Sequence, residues 1–118
     1  MKILVLEDDR FRAQFFIEAF GSYDLTITED AFAAIGCIGK EVYDLICLDN
    51  DLGMDNGEGL DVANFLIDNP TNQNNHTNII IHSWNTVAAR EMKAKLPLAI
   101  VAPFDVKFFN DLDLTSLN

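Results

Sequence analysis

Carboxylates stand at the ends of apolar runs in this sequence, and that placement is its most chemical feature. Ile3-Leu4-Val5-Leu6 runs into Glu7, Asp8 and Asp9, and Leu45-Ile46-Cys47-Leu48 runs into Asp49, Asn50 and Asp51. A third run, Ile79-Ile80-Ile81, is followed by His82, Ser83, Trp84 and Asn85. Acids held this close repel one another and resist ionisation unless a cation sits among them. An all-oxygen ligand set suits a hard divalent ion, Mg²⁺ first, which keeps several waters and asks for one or two carboxylates. A single acid at such a place is equally a helix N-cap. Capping uses one acid per helix, however, and these come in clusters, so a cation site is the better reading.

The acids meet only if the runs that carry them are parallel neighbours. An apolar run with no polar gap is what a strand covered on both faces looks like. Between the runs lie helical stretches. Phe11, Phe15, Ile17 and Phe20 recur near the helical period, and Gly21 stops that helix. Leu25 to Thr28 alternates and fits a shorter strand near an edge. Glu29 and Asp30 suit the first turn of a helix carrying Phe32, Ile35 and Ile38. After Asp49 comes a loop to Gly57 with turn signals at Gly53 and Asn56-Gly57, then a helix bearing Leu60, Val62, Ala63, Phe65 and Leu66, closed by Asn69-Pro70. Thr71 to Asn78 is polar and Asn-rich and reads as an exposed loop. A helix from Thr86 to Leu96, a fifth strand at Leu98 to Val101 and a last helix with Val106, Phe108, Phe109 and Leu112 complete the chain. This alternation predicts one α/β domain over residues 1–118, a parallel sheet with helices on both faces joined by right-handed crossovers. The carboxyl ends of all strands then share one edge, where such folds keep their ligands.

The composition narrows what that edge can meet. With 8 Lys+Arg against 19 Asp+Glu the net charge is −11, so duplex nucleic acid and anionic membranes are excluded as partners. A nucleotide ligand would be small or a chain end, held locally. The 49% hydrophobic content excludes disorder, and no apolar run approaches the ~20 residues that cross a bilayer. The N-terminus enters a strand-like run at once, so no secretory signal is expected. Cys37 and Cys47 both lie in apolar stretches and read as free thiols of a reducing compartment, the cytoplasm.

Residues 3–9 and the run Asp44-Leu45-Ile46-Cys47-Leu48-Asp49, with Leu52-Gly53 and Gly57 after it, resemble the receiver domain of two-component response regulators. The resemblance runs the length of the chain and implies a three-layer, flavodoxin-like (βα)5 fold with strand order 2-1-3-4-5. It places a metal-binding acidic pair on Glu7 and Asp8 and a phospho-accepting aspartate on Asp49. It adds the backbone carbonyl of Asp51 as a metal ligand and the Ser83 hydroxyl as a contact to a phosphoryl oxygen. Three positions depart from the pattern. Ala102 stands before Pro103 where receivers carry Lys, Ala99 stands for the aromatic switch residue, and Gly53 stands for the loop proline. Without the Lys, phosphoryl chemistry at Asp49 lacks a fixed positive charge.

The unusual parts, Leu6-Glu7-Asp8-Asp9 with Arg12, Asp49-Asn50-Asp51-Leu52-Gly53 and His82-Ser83-x-Asn85, resemble a divergent branch of receivers. That branch is predicted to process cyclic phosphates and is associated with RNA end repair and nucleotide metabolism. It often has Asp-His-Asp where this chain has Asp49-Asn50-Asp51, so one proton-transfer imidazole is absent. A metal on Asp8 and Asp49 would polarise a phosphodiester oxygen. His82 would move a proton at neutral pH, while Ser83, Asn85 and Arg12 would hold phosphate oxygens. Arg10 and Arg12 are both candidates to neutralise the acidic pocket in place of the Lys. Trp84 would stack a base, and Arg90 and Lys93 would bring positive charge toward an anion. Plainer roles stand beside these: a hydrogen-bonded strand-end His82, an N-capping Asn85, a packed Trp84, and Arg90 and Lys93 on a solvated helix face. The expectation is therefore a receiver-fold domain binding Mg²⁺ and a phosphate-bearing ligand or RNA end, acting as a metal-dependent cyclic phosphodiesterase. The alternatives are a stand-alone response regulator phosphorylated on Asp49, and a pseudo-receiver that only binds a partner protein.

Overall fold

Three of the five strands follow from burial demand alone. In the computed structural model, which describes residues 1–117, the chain alternates β1 (Lys2–Leu6), α1 (Arg10–Phe20), β2 (Asp24–Thr28), α2 (Ala31–Lys40), β3 (Leu45–Leu48), α3 (Gly59–Asp68), β4 (Asn78–Ile81), α4 (Thr86–Lys95), β5 (Ile100–Val101) and α5 (Val106–Asp111). Asn118, the last residue of the expected domain, lies outside the described residues. All strands are parallel and ordered β2-β1-β3-β4-β5, as the resemblance implied. Among the described residues no helix is long and apolar enough to cross a membrane.

The side chains of each strand alternate between the two faces of the sheet. Leu4, Leu6, Ile46, Leu48, Ile79 and Ile81 pack with α2, α3 and α4. Ile3, Val5, Leu45, Cys47 and Ile80 pack on the other face with Phe16 and Phe20 of α1 and Phe109 of α5. The helices begin where side chains satisfy their free N–H groups. Asp9, Asp30, Asn85 and Asp105 cap α1, α2, α4 and α5, and Glu58 with Asp61 forms a reciprocal capping box on α3.

Several expectations need correction. In α1 the expected Phe20 is buried together with Phe16, while Phe11 and Ile17 are exposed, because the face that meets the sheet runs through Phe16 and Phe20. Phe32 is likewise exposed, and α2 buries Ala31 and Ala34 beside the expected Ile38. Glu29 lies before the helix, and Asp30 is its cap. Thr71 to Asn78 is no simple exposed loop: Gln73–His76 forms a 3₁₀ turn and Asn74 is buried. Its amide accepts from the Tyr43 N–H and donates to the carbonyls of Ile38 and Glu41, closing the amino edge of the sheet. The fifth strand shrinks to Ile100–Val101, and Leu98 is exposed.

Candidate metal and phosphate site

Register makes the site. Leu6 pairs with Leu48, Leu48 with Ile81, and Ile81 with Val101, so the next rung of the sheet is Glu7, Asp49, His82 and Ala102 side by side. The backbone continues the ladder through that rung: Glu7 donates to Thr28, Asp49 to Leu6, His82 to Leu48 and Ala102 to Ile81, at 2.9–3.1 Å. By the same alternation Glu7, Asp49 and His82 lie on the face that α1 and α5 cover. A polar rung therefore sits on top of an aromatic layer.

The side chains divide that rung into a satisfied half and an unsatisfied half. Glu7 is buried and receives Arg12 Nε at 2.9 Å, Arg12 Nη2 at 3.3 Å, the Asp9 N–H at 3.0 Å and His82 Nε2 at 3.0 Å. Burial alone would push its pKa up, but the His82 and Arg12 hydrogen bonds outweigh this and hold it at about 2. Asp49 is 5% exposed and has much less help. One oxygen accepts the neighbouring Asn50 N–H at 2.8 Å, and the other lies 3.7 Å from Arg12 Nη2, beyond a normal hydrogen bond. Burial first, and the Glu7 charge second, push its pKa up to about 7. Asp8, half-buried, is raised by the same two causes in the same order.

Oxygens of Glu7, Asp8 and Asp49 come within 4.8 Å of one another. The donor set is all oxygen, two of its members are strained toward protonation, and Arg12 supplies only part of the missing charge. Such a set fits a hard divalent ion. The expected metal residue Asp51 is not part of this side-chain group. Its carboxylate accepts from the amides of Asn50 at 3.0 Å and Asn85 at 3.3 Å. Arg10 makes no ion pair among the described residues, whereas Arg12 bridges Glu7 and Asp49. Arg12 thus brings positive charge from α1 to both Glu7 and Asp49.

His82 is placed differently from the expectation. Its ring is enclosed by Phe16, Phe104 and Phe109, with centroids 5.2, 6.5 and 6.3 Å away, and its burial lowers its pKa despite Glu7. Its Nε2 lies 3.0 Å from the Glu7 carboxylate, while Nδ1 has no hydrogen-bond partner among the described residues. Direct proton exchange between His82 and a ligand is not met by this geometry, because no part of the ring reaches the edge. Asn85 is engaged at both ends, capping the Ala88 N–H and donating to Asp51, which realises the plainer reading. Ser83 is buried, and its hydroxyl accepts the Asn85 N–H at 3.1 Å. It also lines a groove of about 520 Å³ with Arg90 and Lys93, whose ammonium is held by the carbonyls of Pro97 and Ala99.

Gly59 escaped the sequence reading. A Cβ there would lie 2.0 Å from the Asp49 carbonyl oxygen, so only glycine lets α3 start against the end of β3. A glycine opening an amphipathic helix ten residues after the acid was the available signal. Gly53, at φ 83°, explains why the loop proline is absent, since proline cannot adopt that conformation.

A five-stranded parallel sheet in this order, with acids on the first and third strand ends, defines the receiver class. The profile of the cyclic-phosphate processing receiver domain matches residues 2–97, and the chain belongs to that family. No curated protein matches the chain. The response regulator TrrA of Thermotoga maritima, solved with Mg²⁺-BeF, is 20% identical over 100% of both chains with a TM-score of 0.73. A CheY-like receiver domain of Methylobacillus flagellatus is 17% identical over 100% of this chain and 98% of its own, TM-score 0.73. A Francisella receiver domain reaches 24% identity over 98% of this chain and 94% of its own, TM-score 0.67. These likenesses show the fold.

Proposed function

We propose that this chain binds Mg²⁺ on Glu7, Asp8 and Asp49 and processes a cyclic phosphate on a nucleotide or RNA end. The observation that carries the reading is the convergence of three carboxylates with a guanidinium beside Asp49, which is buried with a single good hydrogen bond. When bound, the ion would neutralise the carboxylates and supply Lewis-acid polarisation of a phosphate oxygen.

The chain's own residues define the rest. Arg12 has N–H groups to spare beyond its Glu7 contacts, and its planar fork matches phosphate oxygens. Ser83, whose oxygen already accepts from Asn85, has its hydroxyl proton free to donate. Asp51 contributes its backbone carbonyl, and Asn85 orients Asp51 and the start of α4. His82 acts as a positioning group that fixes Glu7, and through it Arg12. In the reaction, water adds to phosphorus, the ring P–O bond breaks and the ribose oxygen takes up a proton. The reduced thiols of Cys37 and Cys47 fit a cytoplasmic setting.

Incubation with 2′,3′-cyclic nucleotides and Mg²⁺ tests this. Ring opening that disappears in Asp49→Ala is expected, and absence of both turnover and binding would overturn the reading. A second reading keeps Asp49 as a phospho-acceptor, since Arg12 stands near it where the usual lysine is missing. Stoichiometric modification of Asp49 by acetyl phosphate, with no turnover of cyclic substrates, would select it.

A further inference from the structure

Part of the exposed apolar surface lies at the carboxyl edge of the sheet. Phe11, Phe32, Met54, Trp84 and Val87 all sit in first helical turns or loops at the carboxyl edge of the sheet, around the acidic site. One group of them forms a groove. Phe11, Trp84, Phe104 and Val106 line a depression of about 470 Å³ together with Arg12, Asp9 and Asp105. That size falls within the range of small-ligand sites.

Trp84 is 65% exposed yet held in place. Its indole N–H donates to the Phe104 carbonyl at 3.0 Å, and the Arg12 guanidinium lies 5.1 Å from its ring centroid. An aromatic ring that is both exposed and fixed is a pre-organised stacking surface, because binding costs it little further freedom. Arg12 is the link to the chemistry, since the same guanidinium that packs on Trp84 also contacts Glu7 and approaches Asp49. The groove's acids refuse a second phosphate. Each uses one oxygen to cap a helix, leaving the other to accept an N–H.

We propose that this groove is a nucleobase subsite: the base of the phosphate-bearing ligand stacks on Trp84 while Arg12 meets its phosphate. The proposal rests on the phosphate-binding reading above and names the ligand class as a nucleotide rather than a bare or sugar phosphate. The base offers a flat apolar face to Trp84 and Phe11 and N–H groups to Asp9 and Asp105.

Trp84 is the only tryptophan in the sequence, so its fluorescence reports on the groove directly. The test titrates the full chain, in Mg²⁺, with guanosine 3′-monophosphate, ribose 5-phosphate and inorganic phosphate, following fluorescence and thermal stability. The nucleotide should quench Trp84 and bind at least about ten-fold more tightly than ribose 5-phosphate. Trp84→Ala should erase that difference by thermal shift, while Trp84→Phe keeps part of it. Both variants should fold, because the side chain is largely in solvent. Equal affinity for nucleotide and ribose 5-phosphate without quenching would overturn the base subsite and leave phosphate binding standing. No stabilisation by any of the three would overturn both.

Discussion

The two edges of the sheet handle buried polarity in opposite ways. At the amino edge Asn74 uses its carbonyl and both amide hydrogens on Tyr43, Ile38 and Glu41, and no charge is involved. At the carboxyl edge Glu7 is saturated, but Asp49 one strand away is nearly as buried with a single good hydrogen bond. A closed neutral network serves stability. A buried carboxylate without a full partner costs stability, and its persistence beside Asp8 points to something that binds there.

The contrast can be broken from either side. The largest effect is expected at Glu7. Glu7→Ala leaves Arg12 without its bidentate partner and His82 without any, and should cost about 3–5 kcal/mol in denaturant unfolding. Asn74→Ala strips the Tyr43 N–H and two carbonyls at the other edge and should cost about 2–3 kcal/mol, with Mg²⁺ affinity unchanged. A loss of Mg²⁺ binding in that variant would mean the edges are coupled.

Asp49 should behave in the reverse sense. Its folded pKa, about 7, lies above the ordinary value of 3.8, so the native state holds the proton more tightly than the unfolded one. That contribution is fully present below pH 3.8 and is lost as pH rises through 7. Asp49→Asn should therefore stabilise the metal-free protein at pH 8, on the order of 1–3 kcal/mol. The gain should shrink as pH falls toward 4, which unfolding curves at several pH values would show. The smallest effect is expected for Val87→Ser at the exposed start of α4, within about 0.5 kcal/mol by the same measurement.

How far the sequence carried this picture follows the same division. Uninterrupted apolar runs made β1, β3 and β4 legible, and acids at their ends made Glu7, Asp8 and Asp49 legible as a group. Strand alternation also puts His82 on the α1 and α5 face, but nothing local says that three phenylalanines close over it. Helix phase was harder. Phe15 and Phe16 are adjacent, so the rotation of α1 about its own axis decides which of them is buried, and the sequence does not fix that rotation. Asn74 looks like loop in the local sequence because its partners lie more than thirty residues away in the chain. Arg12 was visible as a candidate, and only tertiary structure separates it from Arg10.

Mg²⁺ titration of thermal stability at pH 8, in the wild-type chain and in Asp49→Asn, tests the central claim most directly. Binding to the native state stabilises it by about 1.4 kcal/mol at ten times the dissociation constant. The account predicts a saturable rise in the wild type and none in Asp49→Asn, so that the order of their stabilities converges or reverses as Mg²⁺ is added. Two parallel, flat titrations would contradict it.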